Sequence, residues 1–286
     1  MRFVITRLPF GLPSALQDAA GVTLGPGHAL LLGGLNAADT STASVSALDT
    51  TGARPAGLLP EAQHDAQAVL LAGRVYVFGG GQFSSYSHIL SYDPTTGRVS
   101  QAASLPSPTS DAGVAAIDGT AYVVGGYDGE RALDTIVAWR PGSRARIVGR
   151  LPYGLRYAAV AASGGRLIIA GGSRSEAATR AILSFDPLTG AVRHLGELSV
   201  ATTHAAAVAL GPYVYVLGGR GAASTSQSAA IVAIDPTTGR ALGVGALPRG
   251  LSDASALGVG GAIWLAGGLS AEGTVASVLE LTPAAP

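Results

Sequence analysis

Apolar residues along the chain come in short bursts cut by glycine-containing turns, a pattern of short strands rather than helices. Residues 166–190, RLIIAGGSRSEAATRAILSFDPLTG, show the unit: an apolar strand ending in a double glycine, a polar loop, a second apolar strand and a turn. The double glycines recur at Gly33-Gly34, Gly79-Gly80, Gly125-Gly126, Gly171-Gly172, Gly218-Gly219 and Gly267-Gly268, with spacings of 46, 46, 46, 47 and 49 residues. Self-similarity at this period marks a propeller or a solenoid.

Each repeat reads as four strands, a to d. Strand a is small and apolar (66–71, 112–117, 158–162, 205–210, 254–259), and strand b is β-branched and aromatic (75–78, 121–124, 167–170, 214–217, 263–266). Turns such as Ala72-Gly73, Asp118-Gly119 and Gly164-Gly165 join them, glycine supplying the positive φ of a tight hairpin. Strand c ends in Asp-Pro-x-Thr-Gly at Asp93, Asp186 and Asp235, and in a degenerate Asp49-Thr-Thr-Gly52. There Asp bonds its own downstream backbone, Pro presets φ and Gly closes the turn. Strand d runs to Leu-Pro at Leu59, Leu105, Leu151 and Leu247, with Leu198-Ser199 in the fifth unit, a constant 19 residues before the next double glycine. The last unit lacks a strand d, while the N-terminal RFVITRLP matches the fourth unit's RIVGRLP lead-in. Residues 1–8 are therefore expected to supply the missing outer strand and close a ring.

Composition narrows the classes. Hydrophobic residues make up 48% of 286 and charged residues 13%, with 41 Gly, which suits many short strands in a closed repeat array. Eighteen Arg and no Lys balance 12 Asp and 6 Glu, so no basic excess points to nucleic acid. With no Cys, disulfides and Cys-ligated metals are out, and no 18-residue apolar run predicts a membrane span. The N-terminus lacks a signal-peptide pattern, which fits a cytoplasmic chain or a mature or excised exported domain and leaves the compartment open.

Units of about 46 residues with a double glycine, an aromatic in the preceding strand (Tyr76, Tyr122, Tyr215 and Trp264, with Leu30 and Ile168 substituting) and D-P-x-T-G turns resemble kelch repeats. The resemblance implies an all-β, six-bladed β-propeller of four-stranded antiparallel blades in one domain, 1–286. Blades fall at about 10–60, 61–106, 107–152, 153–199, 200–248 and 249–286, the last completed by strand 1–9. Kelch strand d usually carries a Trp after the turn glycine, whereas Val99, Val192 and Leu242 stand here, so weaker aromatic packing between blades is expected. Relatives include protein-interaction modules, a sialic-acid mutarotase, glucosinolate-breakdown specifiers and a copper radical oxidase. The oxidase needs a Cys crosslinked to Tyr, and Glu61, His64 and Asp65 are packed too closely for the specifiers' iron site.

Function must come from a site rather than from the fold. In such blades the d–a links and b–c loops share one face and the a–b and c–d turns the other. Counting back 14 residues from each double glycine (15 in the first unit) finds the residue opening strand a at the channel mouth: Asp18, Asp65, Asp111, Tyr157, His204 and Asp253. Asp suits the capping of free backbone N–H groups there; alternatively the ring is a polar binding mouth. Several acids together favour a cation, a cationic ligand or partial protonation, unless Arg156 and Arg249 neutralise them. Tyr157 and His204 are the ring members whose chemistry suits acid–base work. Among the variable b–c loops, Phe83, Tyr86 and Tyr127 suit stacking on a sugar or anchoring a peptide, and Arg131, Arg174, Arg180 and Arg220 suit gripping a carboxylate. The expectation is a monomeric, non-catalytic binding module engaging a protein segment or glycan through this face, with Arg156 also at the rim. It carries no cofactor, no metal and no catalytic residues. The alternatives are a small-molecule enzyme resembling the mutarotase, or a plain scaffold.

Overall fold

A computed structural model describes residues 2–284; Met1, assigned from sequence to the N-terminal strand, and residues 285–286 of the last unit lie outside the described residues. Every regular element among the described residues is a β-strand, and every strand pairing among them is antiparallel. The third unit shows the plan: Gly113–Ile117, Thr120–Val124, Thr135–Trp139 and Arg146–Arg150 lie side by side in chain order. Its first hairpin sets Ala115 opposite Tyr122, and the small and the large side chain share one face, packed against the fourth unit.

Two boundaries differ from the sequence expectation. Gly52–Leu71 is one strand of 20 residues, and Ala191–Thr202 also runs through its Leu-Ser site. The first half of Gly52–Leu71 pairs with Thr42–Asp49 and the second with Arg74–Gly81, which joins the first two units into one seven-stranded path. Pro60 does not end the strand, because a proline lacking an N–H is tolerated where no ladder bond is required.

The N-terminal strand Phe3–Gly11 pairs with Ser277–Pro283, outermost in a sheet continued by Ala262–Ala266 and Ser255–Val259. Its register sets Phe3 opposite Pro283 and Arg7 opposite Leu279.

The core lies between neighbouring sheets. Tyr122, Val124 and Ile136 of the third unit pack on Leu167, Ile169 and Phe185 of the fourth, most of them almost wholly buried. Each such aliphatic side chain contributes about 1.5–3 kcal/mol on burial. Aromatic contacts between sheets are present, but strand c supplies them in place of the strand d Trp: Trp139 meets the edge of Tyr76 at 4.8 Å, and Phe185 meets Tyr122 at 5.8 Å. Phe3 of the N-terminal strand reaches Tyr215 at 5.0 Å.

The double glycine makes this approach possible. Gly125 and Gly126 have φ of 62° and 106°, and Gly126 donates its N–H to the Leu155 carbonyl of the next unit at 2.8 Å. A Cβ on Gly125 would overlap that same carbonyl oxygen. The motif is thus both a left-handed turn and the seat of the following d–a link.

Candidate functional site

All six residues found by counting back from the double glycines adopt left-handed backbone: φ is 52° at Asp18, 55° at Asp65, 59° at Asp111, 52° at Tyr157, 56° at His204 and 59° at Asp253. Each N–H donates to the carbonyl of the preceding member, Asp65 to Asp18, Asp111 to Asp65, Tyr157 to Asp111, His204 to Tyr157, Asp253 to His204 and Asp18 to Asp253, at 2.8–3.2 Å. This corrects the capping expectation: main-chain carbonyls satisfy these N–H groups, and the carboxylates bond to side chains instead. Asp and His tolerate left-handed φ, whereas a bulky Tyr there is strained by roughly 1–3 kcal/mol.

The side chains divide by charge. Asp111 is buried and accepts from Arg156 Nε at 2.6 Å. Asp65 Oδ2 lies 3.5 Å from the Tyr157 hydroxyl, and Asp253 accepts from Ser252 Oγ at 2.5 Å. Burial, and then repulsion from Asp253 and Asp65, pushes the Asp18 carboxyl well above the usual range. Burial and the Asp111 charge do the same to Asp65, and burial raises Asp253. Arg249 does not join the ring; it pairs with Glu272 at 2.9 Å.

His204 is held neutral. Burial, then the charges of Arg220 and Arg156, lower its pKa to about 3. Arg220 Nη2 lies 2.9 Å from its Nε2, and because a guanidinium is purely a donor, that nitrogen must accept. Nδ1 therefore carries the proton and donates to Thr203 Oγ1 at 3.0 Å, which stands 2.9 Å from Ser173 Oγ. Tyr157 stacks on the imidazole at 3.7 Å and 22°, its phenol pushed far up by burial and then by Asp65 and Asp111. Arg220 thus occupies the His204 lone pair that a general base would use. Ser41 Oγ lies 2.9 Å from His64 Nδ1, and His64 Nε2 lies 3.6 Å from Asp65. That gap is too long for a hydrogen bond, and the raised Asp65 carboxyl is a poor anion for orienting an imidazole.

A cleft of about 700 Å³ opens among the b–c loops of the third, fourth and fifth units and the d–a links before the fourth and fifth. Tyr127, Arg131, Arg156, Tyr157, Arg174 and His204 all line it, together with Arg220. Arg156 lies 4.2 Å over the Tyr127 ring while bound to Asp111, and Arg174 lies 4.5 Å over Tyr153. Arg131 reaches Asp128 at 3.5 Å. Arg174 and Arg220 make no ion pair within 4 Å among the described residues, and the Arg220 Nε is buried without a partner.

The remaining ring residues, Asp18, Asp65, Asp111 and Asp253, line a smaller cavity of about 70 Å³, which shares Tyr157 and His204 with the cleft. Phe83 and Tyr86 do not line the cleft: Phe83 is 96% exposed, and the Tyr86 hydroxyl points to the Ala62 carbonyl at 3.4 Å. Tyr153 was missed. It follows Leu151-Pro152, where other units carry Glu61, Ser107, Val200 and Arg249, and that variability was its signal.

A family model described as Kelch motif matches residues 64–106 and 108–144. A solved structure, that of YjhT, aligns over 95% of this chain and 96% of its own at a TM-score of 0.82 and 17% identity. Those two stretches are kelch repeats, and the chain has a kelch-type β-propeller fold. At that identity the likeness to YjhT concerns the fold alone, and no curated protein matches this kelch propeller in sequence. Most of the cleft lining comes from loops and a link that differ from unit to unit, and the ring residues Tyr157 and His204 complete it.

Proposed function

We propose that this kelch propeller is a binding module whose b–c and d–a loop face captures an acidic glycan, the sugar's carboxylate seated between Arg174 and Arg220. Six four-stranded blades in one domain, closed where Phe3–Gly11 pairs with Ser277–Pro283, would hold that face rigid; the cycle of backbone bonds through the six ring residues supports this reading. The observation that carries the ligand assignment is a 700 Å³ cleft in which four Arg face Glu130 and Glu176, with two of those Arg lacking a carboxylate. Its volume suits a mono- or disaccharide. Tyr153 lies beneath the Arg174 guanidinium and His204 accepts from Arg220, contacts that preset two forks for a carboxylate.

Calorimetric titration with glucuronate, galacturonate and N-acetylneuraminate, against glucose and galactose, tests it. Saturable binding of an acid but not of its neutral counterpart is expected, weakened at least tenfold in Arg174→Gln and Arg220→Gln. Equal binding of neutral sugars, or binding that both variants retain, refutes it. A second reading, an enzyme acting on the same sugar, draws on the strained backbone of Tyr157 beside the cleft. Faster anomer exchange of a bound sugar in NMR, lost in Tyr157→Phe, would favour it.

A further inference from the structure

The opposite end of the strands carries a second positive feature. In four units the c–d turn opens with Asp, whose carboxylate accepts downstream backbone N–H groups, as Asp93 does from Thr95 at 2.9 Å and Asp235 from Thr237 at 2.8 Å. Three of these acids also pair with Arg: Asp49 with Arg54, Asp93 with Arg74 at 3.4 Å and Asp186 with Arg166 at 3.4 Å.

The third unit inverts this arrangement. Arg140 stands where the others have Asp, and Thr120 stands where the second and fourth units have Arg74 and Arg166. Arg140 donates through Nε and Nη2 to Thr120 Oγ1 at 3.2 and 2.6 Å, so a neutral hydroxyl fixes the guanidinium without cancelling its charge. Ser143 takes over the turn, its Oγ 3.2 Å from Arg140 N and its carbonyl accepting from Trp139 Nε1 at 3.0 Å. Arg144 and Arg146 follow, exposed and without an ion pair within 4 Å among the described residues. Asp186, beside the groove-lining Pro187, is engaged by Arg166, and exposed Asp118 on the adjoining hairpin turn makes no ion pair within 4 Å among the described residues.

Arg140, Arg144 and Arg146 line a groove of about 550 Å³ between the third and fourth units, with Tyr122, Val148 and Pro187. One exposed apolar side chain adjoins the lining in sequence: Leu188, next to Pro187, is 96% exposed. We infer that this groove is a docking site for an acidic segment of a partner protein, with Glu or Asp side chains on the three arginines and an apolar residue against Leu188. Three arginines fall short of the four to eight cations of an anionic-membrane anchor. Tyr122 and Trp139 are 9% and 1% exposed, so neither ring of the groove is available for nucleic-acid bases to stack on.

The test uses the full chain and a fluorescein-labelled (Glu-Glu-Leu)4 peptide in fluorescence polarisation, with (Gln-Gln-Leu)4, an oligo-dT of twelve nucleotides and phosphatidylserine vesicles as competitors. Saturable binding of the acidic peptide is expected, at least tenfold weaker in the surface variant Arg144→Glu/Arg146→Glu and unchanged in Arg174→Gln, whose site lies at the other end of the strands. Arg140→Gln, which keeps a donor for Thr120, should weaken it by a smaller factor. No saturable binding up to millimolar peptide, binding that survives the charge reversal, or stronger competition by oligo-dT or vesicles than by unlabelled acidic peptide overturns the proposal.

Discussion

Two alanine substitutions in the third unit separate the two jobs of its glycines. Gly119, in the a–b turn, has φ of 72°, and nothing lies within 4 Å of where its methyl group would stand, so Gly119→Ala carries the left-handed penalty alone. That penalty is roughly 1–2 kcal/mol, offset by about 0.4–1 kcal/mol from the lost freedom of the unfolded chain, a net near 1 kcal/mol. Gly125 has a similar φ of 62°, but its Cβ would overlap the Leu155 carbonyl oxygen, the acceptor of the Gly126 N–H bond at 2.8 Å. Relieving the overlap moves that carbonyl away and breaks a buried bond, which adds about 1 kcal/mol for the bond and roughly 1–3 kcal/mol for the unsatisfied group. Gly125→Ala should therefore cost about 3–5 kcal/mol, against a total stability of about 5–15 kcal/mol for a typical protein. Equilibrium urea unfolding followed by circular dichroism, with slopes checked for equality, gives both numbers. Equal losses for the two variants would refute the view that the double glycine seats the neighbouring unit.

Two further outcomes follow from the ring. His204, lowered to about 3, should show no titration between pH 4 and 8 and a proton on Nδ1 in long-range ¹⁵N NMR; a midpoint near 6.5 would break the Arg220–His204 assignment. The raised carboxyls of Asp18, Asp65 and Asp253 contribute stability that is full below the ordinary carboxylate range and lost as pH rises through their higher folded values. Asp18→Asn, which keeps a residue tolerant of left-handed φ, should raise the urea midpoint at pH 7 more than at pH 4; the opposite order would show that Asp18 is ionised and well paired.

What the sequence made legible was whatever repeats. The double glycines, the Asp-Pro turns and the six ring positions stand at fixed spacing because each serves the same backbone need in every unit, a positive φ or a satisfied N–H. The cleft repeats nowhere. Tyr127, Tyr153, Arg174 and Arg220 come from three loops and one link and meet through the packing of three units, which no spacing within one unit encodes. The Arg156–Asp111 bond likewise crosses from the fourth unit to the third. Phe83 fitted the composition of a binding loop, yet its loop lies on a different unit, away from the cleft. Aromatic packing between sheets exceeds the sequence expectation because the usual kelch Trp sits on strand d, while here Trp139 and Phe185 act from strand c.

The pairing of Phe3–Gly11 with Ser277–Pro283 also sets how the molecule would answer a pulling force. Arg2 and Ala284 sit at the same end of that pair, joined by a bond from Ala284 N to Arg2 O at 2.8 Å. Tension applied at these two residues acts along the inter-strand hydrogen bonds, which lie perpendicular to antiparallel strands. The ladder then peels one rung at a time instead of shearing all at once. Pulled at these two residues, the seam would therefore unzip under modest load.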